Sequence, residues 1–176
     1  MKTFVVFLRG INVGGQKKIK MADLKTSLQN SNFKNVSTYI QSGNLILNSD
    51  GETMTIIEKQ IESLILKDFG FEVPVLLTTK EKLKLILEAY PFNDAEDKNK
   101  YFTLLHTAAN ESLVTEFNKL KFSSEDFLVT KDCVYLNCKQ GAGKAKLNNN
   151  LIERKLDVVA TTRNLRTMQK MIELVS

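Results

Sequence analysis

The sequence is poor in the residues that most often carry metal or redox chemistry, with two cysteines, one histidine and no tryptophan. A structural zinc site takes four ligands, so Cys133, Cys138 and His106 fall short unless carboxylates complete the set. The two cysteines stand five apart in a segment with strand-like alternation, which predicts side chains on opposite faces of a sheet. We therefore expect reduced structural cysteines, no bound metal and no cofactor, and we interpret His106 as a packed or surface residue.

Long hydrophobic runs are also lacking. The longest is about five residues, from Phe4 to Leu8, whereas a membrane-spanning helix needs roughly 18 to 20. Only Lys2 precedes this run, and charge returns at Arg9, so the pattern does not fit a secretory signal. These features predict a cytoplasmic protein without a membrane segment.

What the chain does contain is an ordinary globular balance with an excess of positive charge. Hydrophobic residues make up 43% and charged residues 26% of 176 residues, which is unlike the composition of disordered chains. The net charge is +5, which favours acidic partners such as phosphates, nucleic acid or anionic surfaces. The composition thus predicts a chain that folds throughout and narrows the partner class without naming a partner.

The first half of the chain predicts the element order βαββαβ, which is the ferredoxin-like unit. Pro74 lies inside the last predicted strand and confines it to a sheet edge, since proline cannot donate to the ladder. The uninterrupted apolar first strand predicts a central position. The elements are predicted at residues 3–8, 21–30, 36–41, 44–48, 53–69 and 73–78.

The second half predicts the same order again, although residue identities do not repeat between the halves. The elements are predicted at residues 101–107, 110–120, 126–130, 133–138, 148–156 and 157–160, followed by a C-terminal helix at 163–175. The fold class is therefore α+β, with two ferredoxin-like units joined by a connector helix that begins with a capping box from Thr78 to Glu81. The predicted domains are residues 1–78, a connector and polar linker at 79–98, and residues 99–176.

The segment richest in potential chemistry lies between the first strand and the first helix. Glycine-rich loops let backbone N–H groups approach an anion, and a following helix N-terminus favours negative charge. The loop fails the P-loop pattern because Gln16 follows Gly15 where lysine should stand. It is interpreted as a phosphate-binding loop, the alternative being a tight surface turn with solvated lysines. Its candidate residues are Arg9, Asn12, Gly14, Gly15, Lys17, Lys18 and Lys20.

The turn at residues 41–44 should meet this loop. In the predicted topology the first two strands run parallel, so both connections leave the same end of the sheet. Ser42 has no plausible base nearby, which predicts a hydrogen-bonding role for Ser42 and Asn44 rather than nucleophilic catalysis. The alternative is plain hairpin chemistry, to which Gly43 and Asn44 are well suited.

The second half offers a comparable pair of segments. A glycine-rich basic loop at residues 139–146 should emerge at the sheet end where the last strand finishes, at 161–164. Thr162 is predicted to cap the C-terminal helix, which would put Arg163 in its first turn beside Asn164. Because arginine there opposes the helix dipole, the arrangement hints at an anionic partner that Arg163 and Asn164 would contact.

Three motifs resemble the signatures of a bacterial domain-of-unknown-function family, number 1697. They are LRGINVGG at residues 8–15, TYIQSGN at 38–44 and TTRN at 161–164, and the resemblance covers essentially the whole chain. It implies a small cytoplasmic bacterial protein with ferredoxin-like organisation and no assigned activity. Family members share these polar motifs more strongly than packing requires, which favours a ligand site. The chain departs from the family at Leu165, where tryptophan is frequent, and at Ala145, where serine is common.

Three functions compete. The first is a site for a phosphorylated or otherwise anionic small molecule, with no catalytic acid–base pair identified. The second is an interaction or homo-oligomeric protein without a ligand. The third is an RNA-binding module, which the strand at residues 45–47 disfavours because it lacks the stacking aromatics of such modules. The candidate ligand-binding residues are Arg9, Asn12, Gly14, Gly15, Lys17, Lys18, Ser42, Asn44, Arg163 and Asn164.

Overall fold

The structure is a computed structural model that describes residues 1–50 and 52–175. The chain forms two compact units. The first unit comprises residues 1–84 and the stretch from residue 170 onward, and the second comprises residues 85–169. The boundaries predicted at residues 78 and 98 stay a prediction about where independently folding pieces would separate. In the described part of the chain, no helix is long and apolar enough to cross a membrane.

The first unit has the predicted order βαββαβ, and its four-stranded antiparallel sheet is ordered β2-β3-β1-β4. The first strand is central and the last is at an edge, as predicted, with Pro74 placed just before the edge strand. The elements are β1 (Lys2–Leu8), α1 (Met21–Gln29), β2 (Lys34–Tyr39), β3 (Asn44–Ser49), α2 (Met54–Phe69) and β4 (Val75–Thr78).

Both faces of this sheet are buried, which explains why β1 is apolar at successive positions rather than alternating. Phe4, Val6 and Leu8 belong to the core that includes α1 and α2. On the opposite face, Val5 and Phe7 are fully buried. Helix α2 begins and ends where cap chemistry predicts: the Thr53 side chain accepts from the N–H of Ile56, and the helix ends at Gly70 with a φ of 82°.

The free edge of β4 is covered by carboxylates from α2. The N–H of Leu77 donates to Glu58 Oε1 at 2.8 Å, and the N–H of Val75 donates to Glu62 Oε1 at 3.3 Å. These are the outward-facing donors of the strand. The carboxylates occupy them and so block strand addition by another chain at this edge.

Glu58 predicts a pH dependence of stability. Burial is the largest influence and raises the pKa of this carboxyl, against the opposing hydrogen bond from Leu77. A carboxyl whose pKa rises on folding stabilises the fold below its unfolded-state pKa, and that contribution is lost as pH increases through the folded-state value. Glu58→Gln keeps an acceptor oxygen and should therefore be the more stable protein at pH 7, by less than about 1 kcal/mol because the carboxyl is only half-buried.

Denaturant unfolding of both proteins at two pH values measures this difference. Below pH about 4, where carboxyls are protonated, the two free energies of unfolding should converge. A Glu58→Gln variant that is less stable at pH 7 would show instead that the charged hydrogen bond to Leu77 outweighs burial.

The second unit repeats the order βαββαβ, with a sheet ordered β6-β7-β5-β8, so the predicted repetition of the fold is confirmed. Helix α3 (Lys80–Glu88) precedes the second set of strands and α6 (Leu165–Leu174) follows it. The remaining elements are β5 (Lys100–Leu105), α4 (Glu111–Phe117), β6 (Glu125–Val129), β7 (Cys133–Cys138), α5 (Asn149–Leu156) and β8 (Ala160–Asn164).

The prediction for the last strand was wrong by about three residues. Asp157 is the left-handed C-cap of α5, with a φ of 51°, and the strand begins only at Ala160. Thr162 therefore lies within β8, paired with Thr103, and does not cap the C-terminal helix. Asn164 does so, because its Oδ1 accepts from the N–H of Thr167 at 2.9 Å. The β-branched Thr161 and Thr162 extend the strand rather than start the helix.

The connector helix is capped one residue later than predicted, and by a threonine alone rather than by a capping box. The Thr79 hydroxyl, and not Thr78, accepts from the N–H of Lys82 at 3.3 Å. Thr78 is the last residue of β4 and is buried there. Thr78 and Thr79 can both cap a helix, but β4 extends through Thr78, so the cap falls to Thr79.

Candidate functional site

The loop at residues 9–20 lies at the end of the first sheet where β1 and β2 both finish. Both β1 and β2 are antiparallel to β3, so they run in the same direction, as predicted. The N–H of Leu8 donates to the carbonyl of Gly43 at 2.8 Å, and the N–H of Arg9 donates to the carbonyl of Pro74 at 3.0 Å. The loop thus starts between the hairpin turn on one side and the edge strand on the other.

Asn12 fixes the shape of the loop. Its Oδ1 accepts from the N–H of Ile19 at 2.8 Å, and its Nδ2 donates to the carbonyls of Ile19 at 3.0 Å and Gln41 at 2.8 Å. Its backbone is left-handed, with a φ of 55°, a conformation that asparagine tolerates better than most residues. The amide therefore closes the loop and ties it to the hairpin turn.

Lys17 anchors the opposite flank. Its ammonium Nζ donates to the carbonyl of Glu72 at 2.6 Å, in the segment that leads into β4. The loop is consequently held at two points, by Asn12 toward the hairpin and by Lys17 toward the edge strand. A main-chain acceptor 55 residues away leaves no signal in the sequence, so this contact could not have been predicted.

The tip of the loop is a tight turn from Val13 to Gln16. The N–H of Gln16 donates to the carbonyl of Val13 at 3.0 Å, and both central glycines have positive φ, 58° at Gly14 and 76° at Gly15. These angles identify a type I′ turn, which requires positive φ at both central residues. Among residues 1–50 and 52–175, neither glycine donates its N–H to another group.

The hairpin turn is organised by its own side chains. Asn44 is fully buried, and its Nδ2 donates to the carbonyl of Tyr39 at 3.0 Å and to Ser42 Oγ at 2.9 Å. Gly43 has a φ of 76° and packs so closely that an added Cβ would stand 2.6 Å from Leu8 Cβ. These hydrogen bonds of Ser42 and Asn44 lie within the hairpin and fit the alternative of plain hairpin chemistry. Their role toward a ligand stays a prediction.

The basic side chains at this end of the sheet differ in their exposure to solvent. Lys18 and Lys20 are exposed, and Arg9 is half-buried. Lys20 is the N-cap residue of α1, and its side chain makes no capping hydrogen bond. The first-turn acidic residue of α1 is Asp23.

Arg163 and Asn164 lie in the second unit. Arg163 is a buried residue of β8 rather than a helix residue, and its Nη1 donates to Thr161 Oγ1 and to the carbonyl of Thr162, each at 2.9 Å. Burial lowers the pKa of its guanidinium to about 10, so the group remains charged at neutral pH. Asn164 is exposed and caps α6. Their participation in ligand binding stays a prediction.

The cysteines are buried and free, and they divide between the faces of the second sheet as their spacing predicted. Cys138 belongs to the core beneath α4 and α5, whereas Cys133 does not. Burial raises the pKa of the Cys138 thiol to about 11 and raises that of Cys133 still further. Both thiols are therefore protonated at neutral pH and suited to packing. His106 is half-buried, and its backbone N–H donates to the carbonyl of Val159 at 2.9 Å.

Comparison with known proteins identifies the family and the fold. No curated protein matches the chain. A conserved bacterial protein from Streptococcus pneumoniae, SP0830, has a similar solved structure, with a TM-score of 0.71 and 22% sequence identity over 99% of this chain and 98% of that one. At this identity the likeness shows the fold alone. The family described as "Protein of unknown function (DUF1697)" matches residues 1–135, which is most of the sequence. The motif at residues 161–164 lies outside the matched residues, whereas those at 8–15 and 38–44 lie within them. The chain therefore belongs to the DUF1697 family, as its first two motifs implied.

Proposed function

We propose that the protein binds a small anionic ligand of the phosphate class on the loop at residues 9–20. The observation that carries the proposal is that the loop is held on both flanks, by Asn12 on the carbonyl of Gln41 and by Lys17 on that of Glu72. A loop already fixed in place loses little conformational entropy when a ligand arrives. Such fixation supports binding more strongly than the glycine and lysine content does.

The ligand would meet two kinds of donor. The N–H groups of Gly14 and Gly15 stand at the exposed tip, and backbone N–H groups in tight turns of this kind form anion-binding concavities. Lys18 adds a charge that can form a charge-assisted hydrogen bond. The start of α1 at Met21, three residues after Lys18, contributes the positive end of its dipole.

The proposal concerns binding and assigns no reaction. Ser42 is the only hydroxyl-bearing residue of the turn at residues 41–44, and its Oγ accepts a hydrogen bond from the Asn44 amide. Neither this turn nor the loop at residues 9–20 contains a histidine that could activate the hydroxyl. The cytoplasmic location that the resemblance implies is part of the same proposal.

An RNA-binding role finds less support. Sheet-surface RNA modules stack bases on exposed aromatic side chains of their central strands. Here Phe7 and Ile46, on the sheet face away from α1 and α2, are buried. Binding through surface lysines alone would be weak and strongly salt-dependent.

A ligand-free interaction surface is the second candidate, because two apolar side chains are exposed at the same end of the sheet. Val13 at the loop tip is 64% exposed and Ile40 in the hairpin turn is 52% exposed. Ile40 also has a φ of 49°, which a β-branched residue adopts rarely. Analytical ultracentrifugation separates this candidate from the first, since association would depend on Val13 and Ile40 and not on added anion.

Titration with inorganic pyrophosphate tests the proposal, with calorimetry giving the affinity and amide NMR the location. We expect saturable shifts at Gly14, Gly15 and Lys18. Lys18→Ala should weaken binding at least tenfold, since charge-assisted hydrogen bonds contribute about 1.5 to 3 kcal/mol. Lys34→Ala is the matched control, because Lys34 is also exposed and begins β2 at the opposite end of the sheet. It should change the affinity less than twofold.

Two results would contradict the proposal. One is the absence of saturable shifts with pyrophosphate or sulfate at physiological salt. The other is an equal loss in the Lys18 and Lys34 variants, which would mean that only net charge matters.

A further inference from the structure

The second unit contains a pocket of about 610 Å³ that no motif marks. One wall is the segment that follows α3, residues 91–99, and the other is formed by the hairpin of β6 and β7 through Asp126, Asn137 and Lys139. The volume lies within the range of small-molecule sites. All of the lining residues belong to the second unit, so the pocket is independent of the loop at residues 9–20.

Asn137 is the informative residue of this pocket. It is only 8% exposed, and its Nδ2 donates to Asp126 Oδ2 at 3.0 Å. This bond fixes the amide orientation, because the opposite assignment would place two oxygens together. In the part of the chain that the structure describes, the buried Asn137 Oδ1 has no hydrogen-bond partner. A buried acceptor without a donor is costly, and a ligand that brought an N–H or O–H would remove that cost.

The surroundings indicate the charge of such a ligand. Asp126 accepts from Lys139 Nζ at 3.0 Å through its second oxygen, so this carboxylate is aligned by two donors. Asp94 and Glu96 add two further carboxylates to the lining. Glu96 is paired with Lys98 Nζ at 2.8 Å, as Asp126 is with Lys139, so Asp94 leaves one negative charge in excess. Phe92 contributes an aromatic ring, held edge-on against Tyr90 with 5.6 Å between centroids. The pocket thus combines an excess of negative charge with an apolar surface, which disfavours phosphate.

We infer that this pocket binds a small molecule carrying a protonated amine, with the ammonium donating to Asn137 Oδ1 beside the Asp126 carboxylate and the carbon chain against Phe92. An ammonium has three donors and no acceptor, which suits a site whose unsatisfied side-chain atom is an acceptor. The charge balance favours a cation over a neutral alcohol of the same shape. Because the ligand class is opposite in charge to that of the first unit, the two sites can be tested separately.

The experiment uses n-butylammonium chloride as the probe and n-butanol as its neutral counterpart. Titration of the full chain should shift the side-chain amide of Asn137 and the ring of Phe92 saturably with the amine, and several-fold more weakly with the alcohol. Asn137→Leu, which replaces the amide by an apolar group of similar size, should reduce amine affinity at least tenfold. Lys139→Met should increase it several-fold, because it removes the cation that competes for Asp126.

A crystal structure with the probe gives the direct result. We expect the amine nitrogen within roughly 2.7–3.2 Å of Asn137 Oδ1. The inference is overturned if Oδ1 is bonded only to a water molecule while the probe shows no saturable binding, or if amine and alcohol bind equally. Should Asn137→Leu fail to fold, Lys139→Met decides alone: unchanged or weaker amine affinity in that variant overturns the inference.

Discussion

Replacing Gly43 with alanine should lower the free energy of unfolding by about 3 kcal/mol or more. The added Cβ would lie 2.6 Å from Leu8 Cβ, closer than real carbon atoms approach, and 3.0 Å from Ile11 Cδ1, which is tighter than most real contacts. Neither neighbour can move cheaply, since Leu8 and Ile11 are both buried in the core of the first unit. The positive φ of 76° adds the backbone strain that any side chain meets in this region.

Gly14→Ala is the matched control for this prediction. Gly14 also has a positive φ, 58°, but an added Cβ would meet nothing within 4 Å. The control should therefore cost about 1 kcal/mol, from backbone strain alone. Urea unfolding monitored by far-UV circular dichroism measures both variants. Equal losses would mean that the contact with Leu8 and Ile11 relaxes, and that the glycine of the hairpin turn is required only for its backbone angle.

Hydrophobic periodicity was sufficient to predict the order of elements in both units, because each helix and strand buries one continuous face. It failed at residues 157–164, where several weak signals compete. Val158 and Val159 favour a strand, Asp157 stops a helix, and the two threonines suit either a strand or a cap. In the folded chain, Thr162 pairs with Thr103 and donates a hydrogen bond to Asn149, which places it in the strand. Those partners are distant in sequence, so no local pattern could supply them.

In both units a glutamate side chain accepts a hydrogen bond from the edge strand, although the residues of the two units do not align in sequence. In the first unit Glu58 of α2 accepts from an edge-strand N–H at 2.8 Å. In the second, Glu153 of α5 accepts from the N–H of Ala160 in the edge strand β8 at 2.9 Å. Each final strand of a βαββαβ unit is thus covered by a glutamate from the helix just before it. A carboxylate on an amphipathic helix looks like an ordinary solvated residue, so this role becomes visible only once the strand is in place.

The candidate loop was predictable in its location and not in its internal structure. Parallel β1 and β2 necessarily bring the loop and the hairpin turn to one end of the sheet, which the element order alone implied. The roles of individual residues depended on main-chain acceptors, such as the carbonyls of Gln41 and Glu72. Every residue carries such a carbonyl, so composition gives no indication of which one Asn12 or Lys17 will use.

Asn12→Ala should lower the free energy of unfolding by about 3 kcal/mol or more. The substitution removes one hydrogen bond accepted from Ile19 and two donated to Ile19 and Gln41, and such bonds contribute about 1 kcal/mol each. It also leaves the N–H of Ile19, a buried residue, without its acceptor. Because the same amide ties the loop to the hairpin turn, pyrophosphate affinity should fall as well, by tenfold or more.

Asn35→Ala separates these effects from backbone strain. Asn35 is also left-handed, with a φ of 50°, but it is exposed and its side chain makes no hydrogen bond among the described residues. Its replacement should cost about 1 kcal/mol and leave pyrophosphate binding unchanged. Urea unfolding and calorimetry on the two variants give both quantities. If Asn12→Ala loses stability but binds pyrophosphate like the wild type, the amide stabilises the fold and the loop does not need its fixed shape to bind an anion. If it loses binding while keeping its stability, Asn12 acts on the ligand rather than on the loop.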